Sequence, residues 1–366
     1  MKNKILFGNC QDTLKQFAPN SARTCVTSPP YYGLRDYGTA TWIGGDPNCS
    51  HKRDSKVKAE NCNTGHKNHD DMAGVGDAIY KTVCPKCGAI RQDSQIGLEE
   101  TPEEYVEKLV NVFKEVRNVL TDDGTCWVNL GDSYYNYRPG KGQGLPKQSV
   151  STTKQDLPDM CSRRGNRIEG LKEKDLIGIP WLFAFAMRND GWYLRQDIIW
   201  HKPNPMPESV KDRCTKSHEY IFLLSKNRNY YYDHEAIKEQ AVGERWGGNK
   251  PINMDNTKDT NNQFSGLTRP RKMVYDKRNK RSVWKVACKP YKGAHFAVYP
   301  PELIEPCILA GSEVGDVVLD PFMGSGTTAM VAKKYSRSYI GCELNKDYAS
   351  LQTDRISTIP NKLPLY

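Results

Sequence analysis

Val26-Thr27-Ser28-Pro29-Pro30-Tyr31 follows a short strand-like run and sets a hydroxyl, two prolines and a phenol in consecutive positions. The proline rings fix φ and carry no backbone N–H, so the Ser28 hydroxyl and the Pro29 carbonyl stand as rigid acceptors. Tyr31 can stack on a planar ring. Taken alone, a Pro-Pro pair is also an ordinary turn at a strand end.

A second constellation lies near the carboxyl end. Val317-Val318-Leu319 reads as a hydrophobic strand, Asp320-Pro321-Phe322 as its tip, Gly324-Ser325-Gly326 as a tight turn and Thr327 as the start of a helix. Glycines lack the Cβ that would hold a ligand away from the backbone at the carboxyl edge of a sheet. Glu343, 17 residues after Gly326, ends the next strand, where a carboxylate can accept both hydroxyls of a ribose. Unlike a phosphate loop, this turn has no Lys after its glycines. Asp320 in the cleft would repel pyrophosphate but suit a cation such as the sulfonium and ammonium of S-adenosylmethionine.

A third group could hold metal. Cys49 and His51, followed by Cys84-Pro85-Lys86-Cys87-Gly88, supply four ligands, and the Cys-x-x-Cys-Gly spacing suits a thiolate knuckle on tetrahedral zinc. Cys62, His66 and His69 lie between and could replace one of the first pair. Of the 12 cysteines this is the one tightly spaced pair, which favours reduced thiols over a disulfide scaffold. The alternative is a polar loop with incidental thiols, but residues 44–97 have too little apolar content to order themselves, so a structural zinc is expected.

The chain has 366 residues, a length that suggests about two domains, and a net charge of +10 from 53 Lys+Arg against 43 Asp+Glu. Between Arg269 and Lys292 ten cations face Asp276 alone, so nearly the whole excess sits there. Arg269, Arg271, Lys272, Lys277, Arg278, Lys280 and Arg281 interleave with Tyr275, Trp284 and Tyr291, a pairing suited to phosphate contact and base stacking. A solvated basic loop is the plainer reading. The longest apolar run, Ile179 to Met187, is far short of the roughly 20 residues a bilayer requires, and the start lacks a signal-peptide core. A cytoplasmic protein without a membrane partner is expected.

The elements that must position these groups follow from pattern. Lys4–Asn9 and Thr24–Ser28 read as strands joined by a helix through Asp12–Phe17. Thr101-Pro102-Glu103-Glu104 opens a helix whose Tyr105, Leu109, Val112, Phe113, Val116 and Leu120 share one face, and Asp122-Asp123-Gly124 stops it before a strand at Thr125–Leu130. Residues 133–175 read as a mobile loop. A buried helix at Ile179–Met187 precedes strands Tyr193–His201 and Glu219–Ser225, with an irregular proline-rich link between them. Pro300–Leu309 reads as a helix, Val317–Phe322 as a strand, Thr327–Lys334 as a helix and Ser338–Glu343 as the last strand, leading into a helix from Lys346. Alternating strands and helices with glycine turns at strand ends predict an α/β fold, a doubly wound and mostly parallel sheet carrying two polar insertions.

Val-Thr-Ser-Pro-Pro-Tyr upstream and Asp-Pro-Phe-Met-Gly-Ser-Gly-Thr-Thr downstream resemble the catalytic and cofactor motifs of DNA amino-methyltransferases in the permuted order called the β group. Thr125–Gly131, Tyr193–Asn204 and Glu219–Lys226 are similar to the intermediate motifs, and His295–Leu309 resembles the segment that closes over the cofactor. The resemblance covers about two thirds of the chain and implies a seven-stranded sheet of the S-adenosylmethionine-dependent type. It implies catalytic roles for Ser28, Pro29, Pro30 and Tyr31. Cofactor contacts then fall to Asn9, where the family more often has Asp, and to Asp320, Pro321, Phe322, Gly324, Ser325, Gly326, Thr327, Glu343 and Phe296. Residues 1–43 with 98–226 become the catalytic half, 44–97 a zinc insertion, 227–294 a target-recognition region and 295–366 the cofactor half. The resemblance further implies double-stranded DNA as partner and bacterial or phage origin, and is compatible with a cognate restriction endonuclease and with a homodimer. Ser at position 28 favours cytosine N4 over adenine N6, reached by flipping the base out of the duplex. The rival readings are a methyltransferase acting on RNA or protein and a non-catalytic zinc-bearing DNA-binding protein.

Overall fold

The computed structural model describes residues 2–33, 39–51, 83–135, 168–241, 277–289 and 298–360. Its centre is an eight-stranded sheet in the order β1-β12-β11-β2-β5-β7-β6-β10. These strands are β1 (Lys4–Phe7), β2 (Ala22–Thr27), β5 (Leu120–Leu130), β6 (Tyr193–His201), β7 (His218–Ser225), β10 (Val283–Lys285), β11 (Val317–Asp320) and β12 (Ser338–Glu343). Pairing is parallel from β1 to β5, antiparallel on both sides of β7, and parallel again between β6 and β10. Two small ribbons, β3 (Thr41–Ile43) with β4 (Ile90–Gln92) and β8 (Glu239–Gln240) with β9 (Lys277–Arg278), stand apart from it.

Among the described residues six helices flank the strands: α1 (Cys10–Leu14), α2 (Pro102–Val119), α3 (Ile179–Asn189), α4 (Pro301–Gly311), α5 (Thr327–Lys334) and α6 (Tyr348–Ser357). Successive residues of β2 and β11 face opposite sides. Cys25 and Leu319 join the core under α2 and α3, while Val26 and Val318 join the core under α4 and α5. The β2-to-β5 crossover through α2 thus lies on one face and the β11-to-β12 crossover through α5 on the other. The switch point, where ligands settle in open α/β sheets, falls between β11 and β2. Ser28 follows β2 there, and Gly324 follows β11.

The α2 stripe is as its spacing predicts, with Tyr105, Leu109, Val112, Phe113 and Val116 fully buried. Thr101 Oγ1 accepts the Glu104 N–H at 3.2 Å and Pro102 occupies the first turn. Three expectations are corrected. Asp122-Asp123-Gly124 does not separate helix from strand, because β5 starts at Leu120 and the acidic turn is an irregularity within it, where Arg23 binds Asp123 at 2.7 Å. Among the described residues the sheet has eight strands where seven were expected, since β10 extends the edge beyond β6. The helix after β1 is a single short turn starting at Cys10, capped by Asn9 Oδ1 on the Gln11 N–H at 2.9 Å. The link at 202–217 is irregular, as three prolines in five residues dictate. Most of the loop expected at 133–175 lies outside the described residues. Among the described residues no helix is long and apolar enough to cross a membrane.

Candidate active site and metal cluster

The carboxyl ends of β1, β2, β5, β6, β10, β11 and β12 and the start of β7 share one edge of the sheet. One cavity of about 500 Å³ runs along that edge. Its first half is walled by Gly8, Asn9, Met323, Gly324, Glu343, Asn345 and Tyr348, and its second by Ser28, Pro29, Tyr31, Asn129, Lys202 and Glu219. Cofactor-type and substrate-type residues, far apart in sequence, thus line one continuous space.

In the first half, Gly324 and Gly326 take φ of +51° and +83°, values that disfavour any side chain. Glu343 Oε2 accepts the Gly324 N–H at 2.7 Å and Oε1 accepts the Asn345 N–H at 2.8 Å, so the carboxylate holds the turn while facing the cavity. Burial pushes its pKa up to about 7, with backbone hydrogen bonds acting against the shift. Pro321, Phe322, Ser325 and Thr327 also line the space.

Asp320 is placed otherwise than expected. It is 1% exposed and turned inward, absent from the cavity wall. Oδ1 accepts Thr27 Oγ1–H at 2.6 Å and the Phe322 N–H at 3.0 Å, and Oδ2 accepts Thr328 Oγ1–H at 2.6 Å and the Tyr299 hydroxyl at 3.2 Å. Four donors at a strand tip make it the anchor of the glycine turn and not an open counter-charge. Desolvation nevertheless raises its pKa to about 6. Asn9 lines the cavity while its Oδ1 serves the α1 cap. Phe296 lies outside the described residues.

In the second half, Ser28 and Tyr31 converge on Asn129. Asn129 Nδ2 donates to the Tyr220 carbonyl at 3.0 Å and to Glu219 Oε2 at 3.2 Å, which leaves Oδ1 as the acceptor. Ser28 Oγ lies 3.4 Å from Asn129 Oδ1, and the Tyr31 hydroxyl oxygen lies 3.1 Å from the same Oδ1. The same hydroxyl lies 2.7 Å from Glu219 Oε2, and Lys202 closes the chain on Glu219 Oε1. Ser28 and Pro29 both line the cavity, so the Ser28 oxygen is open to a ligand there. Burial and the neighbouring Glu219 carboxylate drive the Tyr31 pKa well above its ordinary value, so the phenol stays protonated. The Pro30 carbonyl accepts the Tyr105 hydroxyl at 2.7 Å and acts as a support for the elbow.

Asn129, Lys202, Glu219 and Tyr299 also line this site; the sequence resemblance covers the segments that carry them without giving any of the four a role. Glu219 opens one motif-like segment and Lys202 lies near the end of another. Their meeting depends on the antiparallel register that pairs Trp200 with Glu219.

The four metal-ligand candidates converge. Their donor atoms all lie within 4.8 Å of one another, with Cys49 Sγ 3.8 Å from Cys84 Sγ and Cys87 Sγ 3.5 Å from His51 Nδ1. Tetrahedral zinc with Zn–S near 2.3 Å and Zn–N near 2.0–2.1 Å requires edges of about 3.8 and 3.5 Å. Cys62, His66 and His69 lie outside the described residues.

The basic segment is only partly described, with Arg269, Arg271 and Lys272 outside it. Arg278 and Arg281 share the Glu239 carboxylate, each at 2.9 Å, and Lys280 Nζ sits 5.0 Å from the Trp284 ring centre. Lys277 is exposed. Trp284 is no stacking platform, because β10 turns it inward to 6% exposure with its Nε1–H on the Arg281 carbonyl at 2.7 Å.

A doubly wound sheet with a glycine turn, a strand-end carboxylate and an adjacent acceptor elbow at its switch point defines an S-adenosylmethionine-dependent methyltransferase. A family model described as DNA methylase matches residues 22–354. The chain belongs to this family of DNA amino-methyltransferases, in the β-group motif order. It is 39% identical over 349 residues to the type II methyltransferase M.Cfr9I of Citrobacter freundii, covering 95% of this chain and 86% of the relative. It is also 39% identical over 358 residues to M.SmaI of Serratia marcescens, covering 96% and 90%. Among solved structures, PvuII DNA methyltransferase (cytosine-N4-specific) superposes with a TM-score of 0.54 at 15% identity, over 99% of this chain and 88% of that one. A putative DNA modification methylase from Thermus thermophilus, complexed with S-adenosyl-L-methionine, gives 0.52 at 19% identity, over 98% and 96%. The cofactor suits the site, since the positive-φ glycines open the backbone to a ligand and Glu343 supplies the strand-end acceptor.

Proposed function

We propose that this protein methylates the N4 amine of a cytosine flipped out of duplex DNA. S-adenosylmethionine supplies an electrophilic methyl group. Gly324, Ser325, Gly326 and Glu343 would hold it, with Pro321, Phe322 and Thr327 around them, while Ser28 and the Pro29 carbonyl take the two amine hydrogens. An exocyclic amine is a weak nucleophile because its lone pair is delocalised into the ring. Two fixed acceptors favour a pyramidal nitrogen with its lone pair aimed along the cavity, so positioning and local electrostatics carry the rate. Tyr31 bounds the base while its phenol, tied to Glu219 and Asn129, fixes the ring.

The observation that carries this reading is the Ser28 hydroxyl, held at the tip of the proline elbow in the same cavity as Glu343. The choice of cytosine rests on Ser, in place of Asp, in the elbow motif. Mass spectrometry of nucleosides from methylase-free chromosomal DNA treated with the enzyme tests it: N4-methylcytosine is expected, and N6-methyladenine as sole product would overturn it. The reading includes a structural zinc on Cys49, His51, Cys84 and Cys87. It assigns phosphate contacts to Lys277, Lys280, Arg269, Arg271 and Lys272, with Arg278 and Arg281 released from Glu239 on DNA.

A further inference from the structure

Among the described residues, little apolar surface is buried on the ribbon of β3 and β4 beyond Cys84 and Ala89. Its strands are three residues each, and Ile43 and Ile90, paired across it, are 56% and 58% exposed. An isolated two-stranded ribbon is marginal in water. What closes on the ribbon is the ligand cluster. Cys49 and His51 follow β3, Cys84 and Cys87 precede β4, and the His51 ring stacks on Trp42 at 4.3 Å. A Cβ at Gly45 would lie 2.8 Å from Cys87 Sγ, so the backbone there is pressed against the cluster.

The other end of the ribbon enters the cavity. Thr39 precedes β3, and Ser94, Gln95 and Ile96 follow β4; all four line the cavity. Asp93 ties them together, accepting from Thr39 Oγ1–H at 3.2 Å, the Gln95 N–H at 3.0 Å and Arg91 Nη2–H at 2.9 Å. The chain then passes Gly97, which has a φ of +103°, where a Cβ would stand 2.9 Å from the Tyr31 carbonyl oxygen. The Gly97 carbonyl also accepts the Gly33 N–H at 2.8 Å. The ribbon thus backs the Ser28–Tyr31 elbow directly.

We propose that the metal-closed ribbon is the outer wall of the target-base half of the cavity, so that zinc occupancy governs productive capture of the base and leaves cofactor binding intact. This rests on the reading of the cluster as a zinc site and of the cavity as a DNA methyltransferase site. Without the metal, Asp93 has no fixed strand from which to hold Thr39 and Gln95, and the wall behind Tyr31 loosens.

The test takes the full-length protein, strips zinc with a chelator, and compares it with the zinc-reloaded protein. Zinc is counted by elemental analysis, S-adenosylmethionine affinity measured by calorimetry, and methylation followed with labelled cofactor on methylase-free chromosomal DNA. Stripping should lower kcat/KM for DNA on the order of 10- to 100-fold, with cofactor affinity unchanged and activity restored by zinc. Asp93→Ala should keep its zinc and its cofactor affinity yet lose activity on the same scale. Unchanged methylation by the stripped protein or by Asp93→Ala, or parallel loss of cofactor affinity, would overturn the proposal. Purified protein without zinc would sink the metal reading and this proposal with it. A zinc-loaded wild type that binds cofactor but methylates no DNA would instead refute the proposed function.

Discussion

The Tyr31 hydroxyl lies 2.7 Å from Glu219 Oε2, joining residues 188 positions apart across the base side of the cavity. Glu219 also takes Asn129 Nδ2–H and the Lys202 ammonium, whose Nζ sits 4.3 Å from the Trp200 ring centre. One carboxylate therefore orients a phenol, an amide and an ammonium at once.

Removing that carboxylate should cost more than removing one of its partners. Tyr31→Phe removes the hydroxyl that contacts Glu219 and Asn129 but leaves the carboxylate and its other partners, and kcat should fall by about tenfold at most. Glu219→Gln weakens the hold on Lys202, Tyr31 and Asn129 together, and kcat/KM for DNA should fall on the order of 100-fold. Steady-state kinetics of the two variants checks the ranking, and equal losses would contradict it.

Ser28→Ala deletes an acceptor for the amine, and the hydroxyl's neighbour, Asn129, lies in the base half of the cavity. Turnover should fall on the order of 100-fold or more, with S-adenosylmethionine affinity retained in a calorimetric titration. Asn129→Ala should follow the same pattern, because Ser28 then loses the amide oxygen beside its hydroxyl. Wild-type turnover in either variant would refute the assignment.

The acidic pair predicts opposite pH trends for stability and cofactor affinity. Glu343 titrates near 7 and Asp320 near 6 in the folded protein, both above their unfolded values, so between about pH 4.5 and 7 the native state binds more protons. Stability of the cofactor-free protein should therefore decline as pH rises through that window, by on the order of 2–4 kcal/mol from Glu343. Cofactor affinity should rise over the same range, since the ionised Glu343 is the better acceptor, and should drop about tenfold for each pH unit below 7. Thermal melts and calorimetry across pH 5 to 8 test both trends, and Glu343→Gln should flatten them.

Gly131 marks how closely the Tyr31 ring is packed. A Cβ there would stand 2.6 Å from Tyr31 Cε2 and 3.0 Å from Cδ2, so Gly131→Ala must displace the ring. Loss of about 1–3 kcal/mol of stability is expected, with a drop in kcat/KM for DNA. Denaturant titration and kinetics give both numbers, and Gly131→Ala with wild-type values would mean the ring moves without consequence.

Much of the site is legible in local sequence because its parts are local devices. The Pro29-Pro30 pair stiffens its own loop, the two glycines allow the backbone of their own turn, and the Cys84 to Cys87 knuckle folds on itself. Asp320 shows the limit. Its place at a strand tip is plain from the pattern, but the direction of its carboxylate is set by Thr27, Tyr299 and Thr328, which arrive from other elements of the fold. Trp284 differs for the same reason, since interleaving with cations says nothing about which face of an edge strand it occupies.

The succession of strands and helices, the elbow, the glycine turn and the ligand spacing were all written in the order of the amino acids, because each depends on neighbours within a few residues. Packing in three dimensions was needed for Glu219 to hold Tyr31, for Asp320 to turn inward, for β10 to add an eighth strand and for the β3–β4 ribbon to abut the elbow. Those outcomes depend on strand register and crossover direction, which bring distant parts of the chain into hydrogen-bond range only once both cores have packed.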